Sequence, residues 1–240
     1  MSRAKCVVTS VCLVIGLTTS VTPAPASPLT VTFEGVSPAV GNAGQYNWNT
    51  GAVNHNGILY TPNANGSSSL NHFVAFCMEQ PQYVSPGTTY GNYTFSNLET
   101  SPSPGPVLTV STANDIRAMW AEYRTGLDTG TFADKANKSA AFQHAVWQLV
   151  DSTYNPTLGG AVGGYYTGYL NSSSWQSGLA NLATLVSDDK QDQIFELRRG
   201  FIVQNGQITE IPEPATLAVF GGIALAGAFG YRRRKAAATA

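Results

Sequence analysis

The spacing of hydrophobic and polar positions changes twice along the chain. Between Leu29 and Phe95, apolar residues fall in short alternating or continuous runs: Leu29-Thr-Val-Thr-Phe33, Gly57-Ile-Leu-Tyr60, Phe73-Val-Ala-Phe76 and Gly91-Asn-Tyr-Thr-Phe95. The pairs Asn56-Gly57, Asn65-Gly66 and Pro86-Gly87 punctuate them, so this half predicts strands joined by turns. After the Pro-rich stretch Ser101 to Gly105 the period lengthens. Thr112, with Asp115 three residues later, predicts a helix start; Ile116, Met119, Trp120 and Tyr123 share one face, and Gly126 ends it. A second, stronger helix is predicted from about Asp134 to Tyr154, stopping before Pro156. Gly- and Tyr-rich sequence from Leu158 to Tyr169 breaks the pattern, and Ser174 to Val186 predicts a weaker helix. Gln193-Ile-Phe-Glu-Leu197 and Phe201-Ile-Val203 are strand-like, the latter joined through Asn205-Gly206 to Gln207-Ile208. Strands, then helices, then strands predict an α+β domain: a β-sheet lobe of sandwich or barrel type with an inserted helical lobe.

The two ends follow different rules. Arg3 and Lys5 precede an apolar run from Cys6 to about Val21 and then Ala24-Pro25-Ala26, which predicts a secretory signal peptide cleaved after Ala26. At the other end, Ala215 to Tyr231 is almost free of charge and is followed by Arg232, Arg233, Arg234 and Lys235. Seventeen residues at a rise of about 1.5 Å just cross a bilayer as a single transmembrane helix, with the basic cluster on the cytoplasmic side. The expected organisation is a signal peptide over residues 1–26, one α+β domain over 27–210 and a membrane-directed tail over 211–240. Only 11% of the residues are charged, which leaves no electrostatic footprint for nucleic acid.

The tail carries a sharper signature. Pro212-Glu213-Pro214 immediately before a short Gly/Ala-rich segment, with an arginine cluster at the end, resembles the PEP-CTERM sorting signal of Gram-negative bacteria. That resemblance implies recognition by exosortase, a membrane transpeptidase that removes the tail. It also implies an inner-membrane-anchored intermediate that passes to the cell surface or an exopolysaccharide matrix.

Inside the expected domain, cysteine usage singles out one residue. Cys6 and Cys12 leave with the signal peptide, so Cys77 is left alone in an oxidising compartment. In the second helix Gln143 lies within the apolar stripe of Phe142, Ala145, Val146, Trp147, Leu149 and Val150, so its amide is expected to face the core. Taken singly, Cys77 reads as a small buried hydrophobe and Gln143 as an amide bonded to nearby backbone. Taken together, a thiol and a carboxamide can condense, with loss of ammonia, to an internal thioester.

Phe76-Cys77-Met78-Glu79 resembles the cysteine segment of the bacterial thioester domains, and Ala141-Phe142-Gln143-His144-Ala145-Val146-Trp147 resembles their glutamine motif. Asp192-Gln193-Ile194-Phe195 resembles a late strand of PEP-CTERM proteins that carry such a domain. The resemblance implies a self-formed bond between Cys77 and the Gln143 side chain. It further implies single-use covalent capture of an amine or hydroxyl on a surface partner, for adhesion or matrix cross-linking, and no turnover enzyme.

Other residues offer less. His144 lies about 100° around the helix from Gln143, at the edge of the stripe. His72 falls on the opposite strand face from Cys77. Asp188, Asp189 and Asp192 lack the EF-hand pattern and read as a solvated acidic run. No zinc spacing, phosphate loop or Gly-x-Ser-x-Gly elbow occurs, so neither metal nor cofactor is expected. Two rival readings stand beside the thioester. One is a non-covalent structural or carbohydrate-binding module using aromatic rings between Tyr165 and Trp175; the other is a cysteine hydrolase with Cys77 as nucleophile.

Overall fold

A computed structural model describes residues 29–50, 72–80, 82–101, 107–175, 178–197, 201–204 and 207–210. The signal peptide, the Gly57–Tyr60 run, the Asn205-Gly206 pair and the whole sorting tail, including the expected transmembrane helix, lie outside the described residues. Among the described residues no helix is long and apolar enough to cross a membrane.

The expected β-sheet lobe is a closed barrel of six strands, all pairs antiparallel, in the order β1-β2-β3-β6-β5-β4. They are β1 (Leu29–Val40), β2 (Ala43–Asn49), β3 (His72–Cys77), β4 (Thr88–Asn97), β5 (Leu182–Val186) and β6 (Gln193–Glu196). Strands β7 (Phe201–Gln204) and β8 (Gln207–Glu210) form a separate hairpin. Closure depends on β1, which pairs with β2 on one side and β4 on the other. Register shifts between Phe33 and Gly35 and between Val36 and Ala39 bend it, and Gly35 takes φ 135°, a conformation side chains avoid. The Pro86-Gly87 turn forms as predicted: Thr88 N–H donates to the Ser85 carbonyl at 3.2 Å, with Gly87 at φ 76°.

Among the described residues three α-helices lie between β4 and β5: α1 (Val110–Leu127), α2 (Phe132–Val150) and α3 (Gly160–Tyr169). Helix α1 begins at Val110, two residues before the expected start at Thr112, because Thr109 caps it: its hydroxyl accepts the Thr112 N–H. Helix α2 opens on a capping box in which Thr131 and Asp134 bond each other reciprocally, and it stops at Val150 rather than Tyr154. The expected helix over Ser174 to Val186 does not form. Its last five residues are β5, all or largely buried as a barrel strand, while the Gly-rich stretch expected to break the pattern carries α3. Tertiary packing decides both cases: Tyr165 and Tyr169 stack in α3 and pack on the helical core, which offsets the poor helix propensity of glycine.

Strand β3 explains how two cores share one wall. Phe73, Ala75 and Cys77 point into the barrel, whereas Phe76 meets Trp120 and Phe142 of the helical layer, with ring centroids 5.5 and 4.8 Å away. A strand with apolar neighbours on both faces reads as a continuous hydrophobic run, which Phe73-Val-Ala-Phe-Cys77 is. Helix α2 is divided in the same way. Ala140 and Trp147 join the barrel core, one turn either side of Gln143, while Ala141, Phe142, Ala145 and Val146 pack among α1 and its neighbours.

Candidate functional site at the junction of strand β3 and helix α2

Cys77 is the last residue of β3, and Gln143 lies midway along α2; both are fully buried. The structure brings them together across 66 residues of sequence. Gln143 Oε1 accepts the Cys77 backbone N–H at 2.8 Å, and Gln143 Nε2 donates to the Cys77 carbonyl at 2.7 Å. The reason lies in the strand ladder. Strand β2 pairs with β3 only from His72 to Ala75, whereas β6 continues past it to Cys77, and Met78 N–H donates to the Asp192 carbonyl. The Cys77 peptide groups on the β2 side are therefore left without a strand partner. The Gln143 carboxamide, with the same donor and acceptor as a peptide, takes that place.

The sulfur makes a different contact. Cys77 Sγ donates to the Glu79 carbonyl at 2.7 Å, and that carbonyl also accepts Gln191 Nε2 at 2.7 Å. Burial, the largest influence, pushes the thiol well above its usual pKa, and the nearby Glu79 and Asp192 carboxylates push it the same way. The Trp147 indole N–H and the Glu79 carbonyl contact oppose the shift in part. Trp147 Nε1 is buried beside the sulfur, too poorly aligned to make a full hydrogen bond to it. Burial also raises the Glu79 carboxyl.

The remaining sequence candidates fall elsewhere. His72 bonds Glu34 at 2.8 Å and Asn49 at 3.3 Å on the outer face of the barrel, away from Cys77. His144 bonds the Tyr154 hydroxyl, stacks on its ring and meets Trp147 edge-on; burial lowers its pKa. Neither histidine is bonded to Cys77. The reading of Asp188, Asp189 and Asp192 as one solvated run needs correction at Asp192, which is fully buried and accepts the Ser187 N–H at 2.9 Å. Asp189 stays outside, paired with Lys190 at 2.8 Å. The rings between Tyr165 and Trp175, expected to stand free, pack on the helical core: Tyr169 is buried, and Trp175 Nε1 donates to the Tyr169 carbonyl at 2.9 Å.

Sequence reasoning missed Tyr46 and Gln191, which flank the same junction. A cleft of about 390 Å³ opens there, lined by Tyr46, Gln191, Trp147, Asn42, Gln80 and Tyr83 among others. The signal for Gln191 was present as the polar Gln191-Asp192-Gln193 run entering β6, in which all three residues are buried.

Comparison with known proteins decides one part of the function. Residues 210–235 match the PEP-CTERM protein-sorting motif. This chain carries an exosortase sorting signal. No curated protein and no solved structure matches the chain significantly. The PEP-CTERM motif implies export, a membrane-anchored sorting intermediate processed by exosortase, and delivery to the cell surface. Pro212, Glu213, Pro214, Arg232, Arg233 and Arg234, the residues expected to carry the signal, fall within the matched segment.

Proposed function

We propose that this PEP-CTERM protein is a single-use acylating surface protein in which Cys77 and the side chain of Gln143 condense to an internal thioester. The observation that carries the reading is the docking of the Gln143 carboxamide on the Cys77 peptide, 2.8 and 2.7 Å at its two ends, in a fully buried site. In the condensation, Cys77 Sγ attacks the Gln143 carboxamide carbon. The Cys77 N–H already bonded to Oε1 stabilises the developing oxyanion. The carbon–nitrogen bond then breaks, and the amide nitrogen leaves as ammonia with the thiol proton. Burial shields the product from water, and an external amine or hydroxyl later takes the acyl group, adhering the protein covalently to a surface partner or matrix polymer.

The same hydrogen bonds favour a second reading. Gln143 already satisfies the end of β3, and the raised thiol pKa suits an inert buried cysteine, so the pair also fits a permanent strand-to-helix clamp in a non-covalent matrix module. Intact mass of the freshly purified, folded protein separates the two. The thioester predicts a deficit of one ammonia, absent in Cys77→Ala and replaced by a mass gain after methylamine is added. An undiminished mass with an alkylatable Cys77 leaves the clamp.

A further inference from the structure

Three side chains that line the cleft also border Cys77. Gln191 Nε2 donates to the Glu79 carbonyl that accepts the thiol. Burial raises the Tyr46 hydroxyl pKa most, and charge on the nearby Cys77 sulfur raises it further. Trp147 sets its indole nitrogen beside the sulfur. Cys77 itself is fully buried. Among the described residues, Tyr46, Trp147 and Gln191 therefore stand between the sulfur and a cleft that also carries Tyr83, 77% exposed.

The three are held differently. The Tyr46 hydroxyl donates to the Asn42 carbonyl at 3.1 Å, and Gln191 is tied through its side chain and through its own carbonyl, which accepts the Tyr93 hydroxyl at 2.9 Å. Displacing either one breaks hydrogen bonds between buried groups. Trp147 is seated by packing: it meets His144 and Tyr154 edge-on, with ring centroids 5.2 and 5.8 Å away, and its nitrogen makes no full hydrogen bond. Swinging this ring out therefore breaks no hydrogen bond. A buried indole N–H usually has a partner, and turning toward the cleft would let this one reach water, which keeps the open position within reach.

We propose that Trp147 is the gate of the Cys77 site: its ring closes the passage between cleft and sulfur, and small molecules reach residue 77 from the cleft when the ring swings aside. That the molecule passing the gate is an acyl acceptor rests on the thioester reading above. On that reading an amine attacks the acyl carbon of residue 143, a carbon–nitrogen bond forms as the carbon–sulfur bond breaks, and a proton passes from the amine to the Cys77 sulfur. The gate then decides when the bond is exposed, to water as well as to its target.

The experiment times access to residue 77 in the folded full chain by intact mass. Methylamine is the probe if the protein carries the ammonia deficit, and iodoacetamide if Cys77 is a free thiol. Trp147→Ala is expected to speed the reaction at least about tenfold, by removing the barrier to a local opening. Trp147→Phe, which keeps an aromatic cover, should speed it less. Val146→Ala serves as the control, because Val146 is fully buried in the helical core and does not line the cleft. The wild-type chain supplies a test that needs no variant: its rate should stay flat in urea below the unfolding transition, since a swinging ring exposes little surface. A rate unmoved by Trp147→Ala, an equal increase in Val146→Ala, or a wild-type rate that climbs with urea in step with unfolding overturns the gate. A full mass with alkylation that depends on Trp147 overturns the thioester while the gate stands; an ammonia deficit with a methylamine rate indifferent to Trp147 does the reverse.

Discussion

Gln143 and Cys77 interact through chemically distinct parts, and substitution can separate them. Gln143→Ala removes the amide and orphans a buried N–H and a buried carbonyl on Cys77. We expect it to destabilise the fold by about 2–4 kcal/mol in denaturant unfolding of protein lacking the thioester. Cys77→Ala keeps both backbone groups and their bonds, and is expected to cost about 1 kcal/mol. Equal losses would mean that the backbone docking contributes little. His144 gives a pH test beside the site. Burial lowers its folded pKa, so the unfolded chain binds its proton more readily; stability is full above the ordinary histidine range and falls as pH drops through that range toward the folded pKa. Thermal melts from neutral to mildly acidic pH should show that loss, and His144→Gln should flatten it. At this scale the sequence revealed which residues meet but not how. Two uncommon residues with complementary chemistry made Cys77 and Gln143 legible, whereas the early end of the β2–β3 pairing, which leaves the Cys77 peptide groups for Gln143, is something that no local pattern encodes.

Helix α2 is the element on which the site depends, and its start is well defined. The Thr131 and Asp134 capping box fixes the first turn, so Thr131→Ala should cost about 1 kcal/mol. Ala140, fully buried on the barrel-facing side one turn before Gln143, has no room to grow. Ala140→Leu should cost about 1–3 kcal/mol and move Gln143 off Cys77, read as faster alkylation of the thiol in folded protein. An unchanged alkylation rate would show that α2 adjusts without disturbing the contact. The helix was legible because its stripe is long and periodic. Strand β5 was not: Leu182-Ala-Thr-Leu-Val186 is too short for its period to separate strand from helix, and its barrel neighbours β4 and β6 decide the matter. Helix α3 was missed for the converse reason, since its glycines argue locally against the helix that its tyrosines stabilise by packing.

For the whole molecule, the sorting tail was readable from its Pro-Glu-Pro, its uncharged stretch and its arginine cluster, and residues 210–235 match that motif. Replacing Glu213 by Ala should block exosortase processing, leaving the full-length chain in the inner-membrane fraction instead of on the cell surface; fractionation followed by immunoblotting distinguishes the two. Closure of the barrel was not readable, because it requires β1 to serve two neighbours at once through its bulges.

The separate β7–β8 hairpin gives this arrangement a mechanical character. It lies between the last barrel strand and the sorting tail, and Phe201, where the hairpin begins, pairs with Glu210, where it ends. A pull on the tail therefore opens the hairpin one rung at a time, whereas β6, paired on both sides, resists as a set of bonds loaded together. While the tail is still held in the membrane, tension must first undo this ladder, together with the packing of Val203 in the barrel core and the Asn181 bond to the Phe201 carbonyl, releasing roughly 30 Å of chain before it reaches the barrel strands and the Cys77–Gln143 junction.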